Sequence, residues 1–330
     1  MSNKNLAEAK RNKQDEFYTM YEDIEVELVH YKQHFKDKVI YCNCDDPNKS
    51  NFFKYFVNNF NELCIRKLIA TCYSQKSVSN LFFSESAKTK ALKAVVTDPE
   101  NIEITELESN GDFASSECLE SLKESDIVVT NPPFSLFSKF ILQMVKYGKK
   151  FLAIGSTNAL TYKPIFSMFQ KGDIWLGINR PSKFITDYDS GEIAKFGNVV
   201  WYTNLDHDAE QDFIDLNESY NPDTFIKYQN CDLLHIETLS DIPYNYDGLM
   251  SVPITILEKF NHEQFDLVGL THIKELMPTP VQLGKDFVDL YRSQGGTGHF
   301  SENMYGVWYI DESGKARVPY GHVVIRHKIR

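Results

Sequence analysis

Nothing in the 330-residue chain approaches the roughly 20 consecutive apolar residues that a membrane span requires. The opening "MSNKNLAEAKRNKQDEFYT" lacks the apolar centre of a secretory signal, so the expectation is a cytoplasmic protein with no membrane partner. The six cysteines (Cys42, Cys44, Cys64, Cys72, Cys118, Cys231) are scattered and form no C-x-x-C pair. That predicts a reduced protein with neither disulfides nor structural zinc. "CNC" at 42–44 has no second cluster of Cys or His to join it and reads as small residues in a tight turn. An excess of positive charge is missing too: 35 Lys and Arg stand against 46 Asp and Glu, a net −11, which argues against a protein that coats itself in nucleic acid. Two local exceptions are Lys4, Lys10, Arg11 and Lys13 against Glu8, and the acid-free end "KARVPYGHVVIRHKIR". On charge alone these are two solvated tails.

What the chain does have is 42% hydrophobic residues, enough for a substantial core, with 23 Phe and 18 Tyr. "EDIEVELVHYKQHF" (22–35) shows helical spacing at Ile24, Leu28 and Tyr31. "DKVIYCNC" gives a short strand running into a polar turn, "SNFFKYFVNNFNEL" (50–63) a helix with Ser50 as N-cap, and "RKLIATCY" (66–73) a second strand. Strand, helix and strand within about 35 residues make a βαβ unit, which implies a parallel sheet. Residues 74–100 carry no clear pattern; "NIEITEL" (101–107) alternates as a strand does and "SECLESLKES" (116–125) reads as a helix. Strand "DIVVT", helix "SLFSKFILQMVKYG" (135–148) and strand "KKFLAIG" (149–155) continue the alternation. From about residue 174 the pattern changes to short strands and turns: "DIWLGI", "GNVVWYTNL", "MSVPITIL", "FDLVGL", "GVWYI" and "HVVIR". "RSQGGTGHFSENMYG" (292–306) reads as a mobile loop.

The most informative stretch is "DIVVTNPPFSLF" (126–137). An apolar strand stops at Asn131-Pro132-Pro133-Phe134, and neither proline can donate a ladder hydrogen bond. In an open α/β sheet ligands bind beyond the carboxyl ends of the strands, which is where this corner falls. A rigid turn there can aim the Asn131 amide oxygen and the Pro132 carbonyl into one space, two acceptors that suit an exocyclic amine, while Phe134 stacks on the planar base carrying it. An aryl amine is a poor nucleophile because its lone pair is delocalised into the ring. Accepting both of its N–H groups favours a pyramidal nitrogen and stabilises the transition state of methylation more than the ground state. Proximity and orientation supply much of the remaining acceleration. Methylation at cytosine carbon 5 would call instead for a nucleophilic cysteine after a proline, and no Pro–Cys pair occurs. A turn that merely ends a strand is the plain alternative; its position in a βαβ pattern favours an amino-group methyltransferase.

The chain resembles the EcoRI-type adenine-specific DNA methyltransferases in a series of segments that run in order. They are "DEFYT" with "EDIEVEL", "VIYCNCDDP" followed by "SNFFKYF", "RKLIATCY", "GDF" (111–113), "DIVVTNPPFSLF", "KKFLAIG", "IPYNYDGLMSVPITIL" (242–257) and "GGTGHFSENMYG" (295–306). The resemblance implies methyl transfer from S-adenosylmethionine to N6 of an adenine in double-stranded DNA, flipped out of the stack to reach the site. It implies that Asn131, Pro132 and Phe134 hold the base while Pro133 shapes the turn. It further implies that Asp112 and Phe113 lie near the cofactor's adenine, that Phe17, Tyr18 and Thr19 contact its methionine end, and that the turn Asn43, Asp45, Asp46 forms the first cofactor loop. That loop, "CNCDDPNKS", contains none of the glycine usual in the wider superfamily, and "KLIATCY" ends without the acid that usually holds the ribose hydroxyls; Asp45 and Asp46 are the candidates to replace it.

The expected fold is α/β, a doubly wound Rossmann-like methyltransferase sheet, with residues 1–175 as the cofactor-binding catalytic core and 176–330 as the remaining strands and a strand- and loop-rich target-recognition region. Arg292, Lys315, Arg317, Arg326, Lys328 and Arg330 are candidates for phosphate or guanine contacts there. A monomer suffices to modify one strand at a time, alone or beside a separately acting restriction endonuclease. The competing readings are an RNA or protein amino-group methyltransferase, since N-P-P-Y/F turns also serve guanine and glutamine, and a DNA-binding relative that has lost catalysis.

Overall fold

The computed structural model describes residues 17–74, 90–188, 190–207 and 212–328. Residues 4–13 with their basic cluster, residues 75–89 and Arg330 lie outside the described residues. The chain packs as two compact units. The first holds the described residues up to Ile165 together with Ile174–His207; the second holds Phe166–Asp173 and the described residues from 212 onward.

Strand β1 (Tyr18–Thr19) leads into helix α1 (Tyr21–Leu28), a 3₁₀ turn (Val29–Tyr31) and a short helix α2 (Lys32–Phe35). The expected single helix over 22–35 is thus broken. The tighter turn keeps Ile24, Leu28, Tyr31 and Phe35 on one face, all fully buried. Strand β2 (Val39–Cys42) is buried at every residue, as befits a central parallel strand covered on both faces. Helix α3 (Asn51–Asn58) begins where Ser50 Oγ accepts from the amides of Phe52 (3.1 Å) and Phe53 (3.3 Å), and it buries Phe52, Phe53, Tyr55 and Phe56. Strand β3 (Lys67–Thr71) follows, completing the expected βαβ unit.

Strand β4 (Leu92–Asp98) lies in the stretch that carries no clear pattern in the sequence, and it hairpins into β5 (Asn101–Glu106) through a turn in which Asp98 accepts from the Glu100 amide. Helix α4 (Ser116–Glu124) then delivers β6 (Ile127–Thr130), another wholly buried strand. Helix α5 (Phe137–Lys146) buries Phe137, Phe140, Ile141 and Met144, one stripe at helical spacing, before β7 (Lys150–Ser156). After helix α6 (Lys163–Lys171) come β8 (Trp175–Leu176), β9 (Lys183–Asp187), β10 (Glu192–Lys195) and β11 (Val199–Thr203).

The main sheet has eight strands in the order β5-β4-β3-β2-β6-β7-β11-β8. Its centre, β3-β2-β6-β7, is parallel, and the strands added on either side are antiparallel. The sheet is therefore mixed. β1, β9 and β10 form a separate three-stranded sheet.

The second unit is built on β12 (Leu234–His235), β13 (Met250–Pro253), β14 (Phe265–Leu270) and β17 (His322–His327), in the order β12-β13-β17-β14, with a hairpin of β15 (Tyr309–Ile310) and β16 (Ala316–Arg317). Strand β13 gives way after Pro253 to a 3₁₀ turn, so only the first half of "MSVPITIL" is strand. Helix α7 (Gly284–Ser293) buries Phe287 against Trp308 and Ala316. The 292–306 segment is anchored: the Tyr291 hydroxyl accepts from the Gly298 amide at 3.1 Å, and Phe300 stands edge-on to Tyr291 and Phe287. No helix of the described residues is long and apolar enough to cross a membrane.

Candidate active site

The parallel strands β3, β2 and β6 run the same way, so their carboxyl ends lie on one side of the sheet, where the turn after β2, the end of β3 and the N-P-P-F corner follow. The loop after β2 needs no glycine because none of residues 43–50 takes a positive φ. Side chains hold the turn instead. Asp46 accepts from the Asn48 amide at 2.9 Å, while its carbonyl accepts from the amides of Lys49 and Ser50. Asp45 points the other way, into the protein, and is 5% exposed. Its Oδ1 accepts from Ser50 Oγ at 2.6 Å and its Oδ2 from Thr130 Oγ1 at 2.5 Å. Burial pushes its carboxyl up to about 6, with the hydrogen bonds from Ser50 and Thr130 pulling back and the neighbouring Asp46 adding to the rise.

Asn131 follows Thr130 directly. Its Nδ2 donates to the Phe17 carbonyl at 2.5 Å, which turns the amide so that Oδ1 is buried with no partner. Pro132 is buried beside it and the Phe134 ring, 7% exposed, joins the main core 6.3 Å from the Phe17 ring. Phe17 rests in turn on Phe196, at 4.8 Å. Tyr18 and Thr19 pair with Ile185 and Phe184 of β9, and the Thr19 carbonyl accepts from Asn51 Nδ2 at 2.7 Å. Thr19 Oγ1 and Asn43 Nδ2 are also buried and unpartnered. Buried orphans are costly, about 1–3 kcal/mol each, and three of those among the described residues lie on segments around these strand ends, where a polar ligand would satisfy them.

The "GDF" segment is tied to the end of β3. Gly111 takes φ 73°, and a Cβ there would lie 2.0 Å from the Cys72 carbonyl oxygen, so only glycine fits. Asp112 accepts from the Ala114 amide at 2.8 Å, and Phe113 stands edge-on to Phe140 with its carbonyl held by Gln143 Nε2 at 2.9 Å.

Comparison with known proteins agrees with this geometry. The family described as "Adenine-specific methyltransferase EcoRI" matches residues 5–328. The chain belongs to that family. It is 44% identical over 293 residues to the type II methyltransferase M.EcoRI of Escherichia coli, covering 81% of this chain and 89% of that protein. The type II methyltransferases M.MgeORF184P of Mycoplasma genitalium and M.MpnI of Mycoplasma pneumoniae are 34% and 33% identical over 279 residues, each covering 79% of this chain and 84% and 83% of their own lengths. No solved structure matches the chain significantly.

The basic candidates of this adenine-specific methyltransferase fall in two groups in the second unit. Arg292, Lys315 and Arg317 lie around the packing of α7 on β16, where Gln294 bonds the Gly314 carbonyl and the Ala316 amide. Arg317 is paired with Asp311 at 2.8 Å. Arg326 and Lys328 line a cleft of about 490 Å³ with Gln170, Lys171 and His262, and Arg326 pairs there with Asp266 at 3.2 Å. Sequence reasoning missed Thr130, Phe196 and Gln143. Thr130 carried the available signal, a buried hydroxyl at the foot of the N-P-P-F corner; Phe196 and Gln143 reach the site only through the fold.

Proposed function

We propose that the protein is a site-specific DNA methyltransferase that moves a methyl group from S-adenosylmethionine to N6 of a flipped adenine in duplex DNA. The observation that carries this reading is the Asn131 amide, anchored through Nδ2 with its Oδ1 left as an orphan acceptor. That oxygen, with the Pro132 carbonyl, accepts the two N–H groups of the substrate amine and localises the nitrogen lone pair. Pro133 fixes the corner, and Phe134 stacks on the base, offsetting part of the few kcal/mol lost on flipping.

The residues present fit the cofactor: the orphan donor Asn43 Nδ2 suits an acceptor of the ligand, and the orphan Thr19 hydroxyl suits a donor or an acceptor. When bound, the cofactor supplies an electrophilic methyl on a sulfonium. Phe17, Tyr18 and Thr19 hold its methionine end, Asn43, Asp45 and Asp46 form the loop beneath it, and Asp112 and Phe113 flank its adenine. In this reading the sheet is a doubly wound Rossmann-like core spanning residues 1–175, and residues 176–330 complete it and recognise the target. Arg292, Lys315, Arg317, Arg326, Lys328 and Arg330 contact phosphates or guanine. The enzyme acts as a monomer in the cytoplasm, with any cognate endonuclease acting separately.

The test is transfer of label from S-adenosylmethionine to unmethylated genomic duplex DNA, with nucleoside analysis of the product and Asn131→Ala run beside the wild type. Label recovered as N6-methyladenine and lost in the variant is the expected result. Label appearing only in RNA or protein moves the substrate class, and no binding of the cofactor overturns the reading.

A further inference from the structure

Asp45 stands at a junction of three segments that the proposed chemistry needs in register. Its amide donates to the Thr71 carbonyl at the end of β3 at 2.9 Å. Its two carboxylate oxygens take the single protons of Ser50, which caps α3, and of Thr130, the last residue of β6. The next residue after Ser50, Asn51, donates to the Thr19 carbonyl, and Phe17, two residues before Thr19, accepts from Asn131. Asp45, Thr130, Asn131, Phe17, Thr19, Asn51 and Ser50 therefore form a closed circuit of hydrogen bonds and short chain segments. The buried Asn131 Oδ1, the acceptor assigned above to the substrate amine, is the unpartnered atom on that circuit.

We infer that Asp45 is a positioning residue that aims Asn131 at the substrate amine through Thr130, rather than a holder of the cofactor ribose; the inference rests on the function proposed above. Both Asp45 oxygens already have protein donors, and the side chain is 5% exposed and turned away from solvent, so its geometry serves Ser50 and Thr130 rather than a ribose diol at the surface. Thr130 is a β-branched residue whose χ1 has few options, so fixing its hydroxyl fixes the backbone that carries Asn131. The corner must be held to within a fraction of an ångström, since misplacing a reacting group by about 1 Å can cost on the order of 100-fold in rate.

The experiment measures single-turnover methyl transfer to duplex DNA, enzyme in excess, beside the calorimetric affinity for S-adenosylmethionine. Thr130→Val keeps the shape and removes the hydroxyl. It is expected to slow transfer by roughly 10–100-fold with cofactor affinity unchanged, while Thr130→Ser, which keeps the hydroxyl, restores the rate to within about threefold of wild type. Asp45→Asn, which also serves where the valine variant does not fold, slows transfer at unchanged cofactor affinity. A general loss of packing would lower affinity and rate together and would not be rescued by serine. Thr130→Val transferring at the wild-type rate overturns the inference, as does a tenfold or greater loss of cofactor affinity in Asp45→Asn, about 1.4 kcal/mol, which would return the carboxylate to the ribose. Wild-type enzyme that transfers no label to DNA removes the proposed function and this inference together, so the two failures are distinguishable.

Discussion

The burial of Asp45 makes one carboxyl report on the pH dependence of the whole fold. Its proton is bound more tightly in the native state than in the unfolded chain, where the ordinary value is 3.8 against about 6 when folded. Its contribution to stability is therefore full below about pH 4 and is lost as pH rises through about 6, by roughly 3 kcal/mol in total. Asp45→Asn cannot ionise, so its stability relative to wild type should improve by up to about that amount between pH 4 and 7.5, read from urea titrations at several pH values. That the native enzyme tolerates an ionised group here at neutral pH accords with a role in setting geometry. Gly111 gives a second residue-scale prediction. Gly111→Ala meets both a left-handed φ and the Cys72 carbonyl, and should cost about 1–3 kcal/mol by thermal denaturation, with the "GDF" loop displaced.

Among the elements, helix α3 and strand β17 concentrate the consequences. Ser50→Ala removes the cap of α3 and one of the two donors to Asp45. It should therefore fall at the upper end of the range for lost N-caps, near 2 kcal/mol in a urea titration. On β17, His322 shares Ser251 Oγ at 2.9 Å, and the same hydroxyl meets Tyr228, whose own hydroxyl meets His235, whose Nε2 reaches Glu237. His235 stacks between His322 and Tyr309. Burial above all, with His235 and His272 nearby, holds His322 down to about 3, while Ser251 raises it. A histidine kept neutral by the fold lends stability that is present above pH 6.5 and is lost as pH falls toward 3. Hydrogen exchange at residues 322–327 should accelerate through that window, and His322→Asn, whose amide can meet Ser251, should flatten the dependence.

These elements also show what a sequence can and cannot disclose. The β2–α3–β3 unit was legible because Ser50 caps an aromatic-rich helix between two apolar runs, and the N-P-P-F corner because two prolines can only end a strand. Strand β4 was not legible: Val95 between Ala94 and Val96 breaks the apolar–polar alternation, and the strand's partner β3 lies across a long intervening segment. Nor could the Asp45–Thr130 contact be read, since 85 residues separate a carboxylate and a hydroxyl that meet only when β2 and β6 are neighbours. The basic C-terminal run read as a group of candidate contacts. Two of its members have carboxylate partners, Asp311 six residues and Asp266 sixty residues away, which no charge count reveals.

At the scale of the molecule, a net charge of −11 means that attraction to DNA must be local. The cleft lined by Lys171, Arg326 and Lys328 is the place to test it. Lys328→Gln should weaken duplex binding about equally for all sequences and reduce the slope of log affinity against log salt by about 1, and Arg326→Gln should weaken it at least as much, because it also leaves the Asp266 carboxylate without its counter-charge. Electrophoretic mobility shifts at several salt concentrations would measure both.

The outer edge of the main sheet has a further consequence, for the protein's behaviour among copies of itself. Among the described residues strand β5 ends the sheet with all six residues exposed, and its Ile102 and Ile104, at 39% and 47%, flank Glu103. The opposite end is only the two residues of β8. A short edge and an acidic one are both poor templates for another chain's strand. Crowded molecules of this enzyme are thus hindered from zipping together along their backbones by the Glu103 side chain between the two isoleucines, while Glu106 is held by Lys90.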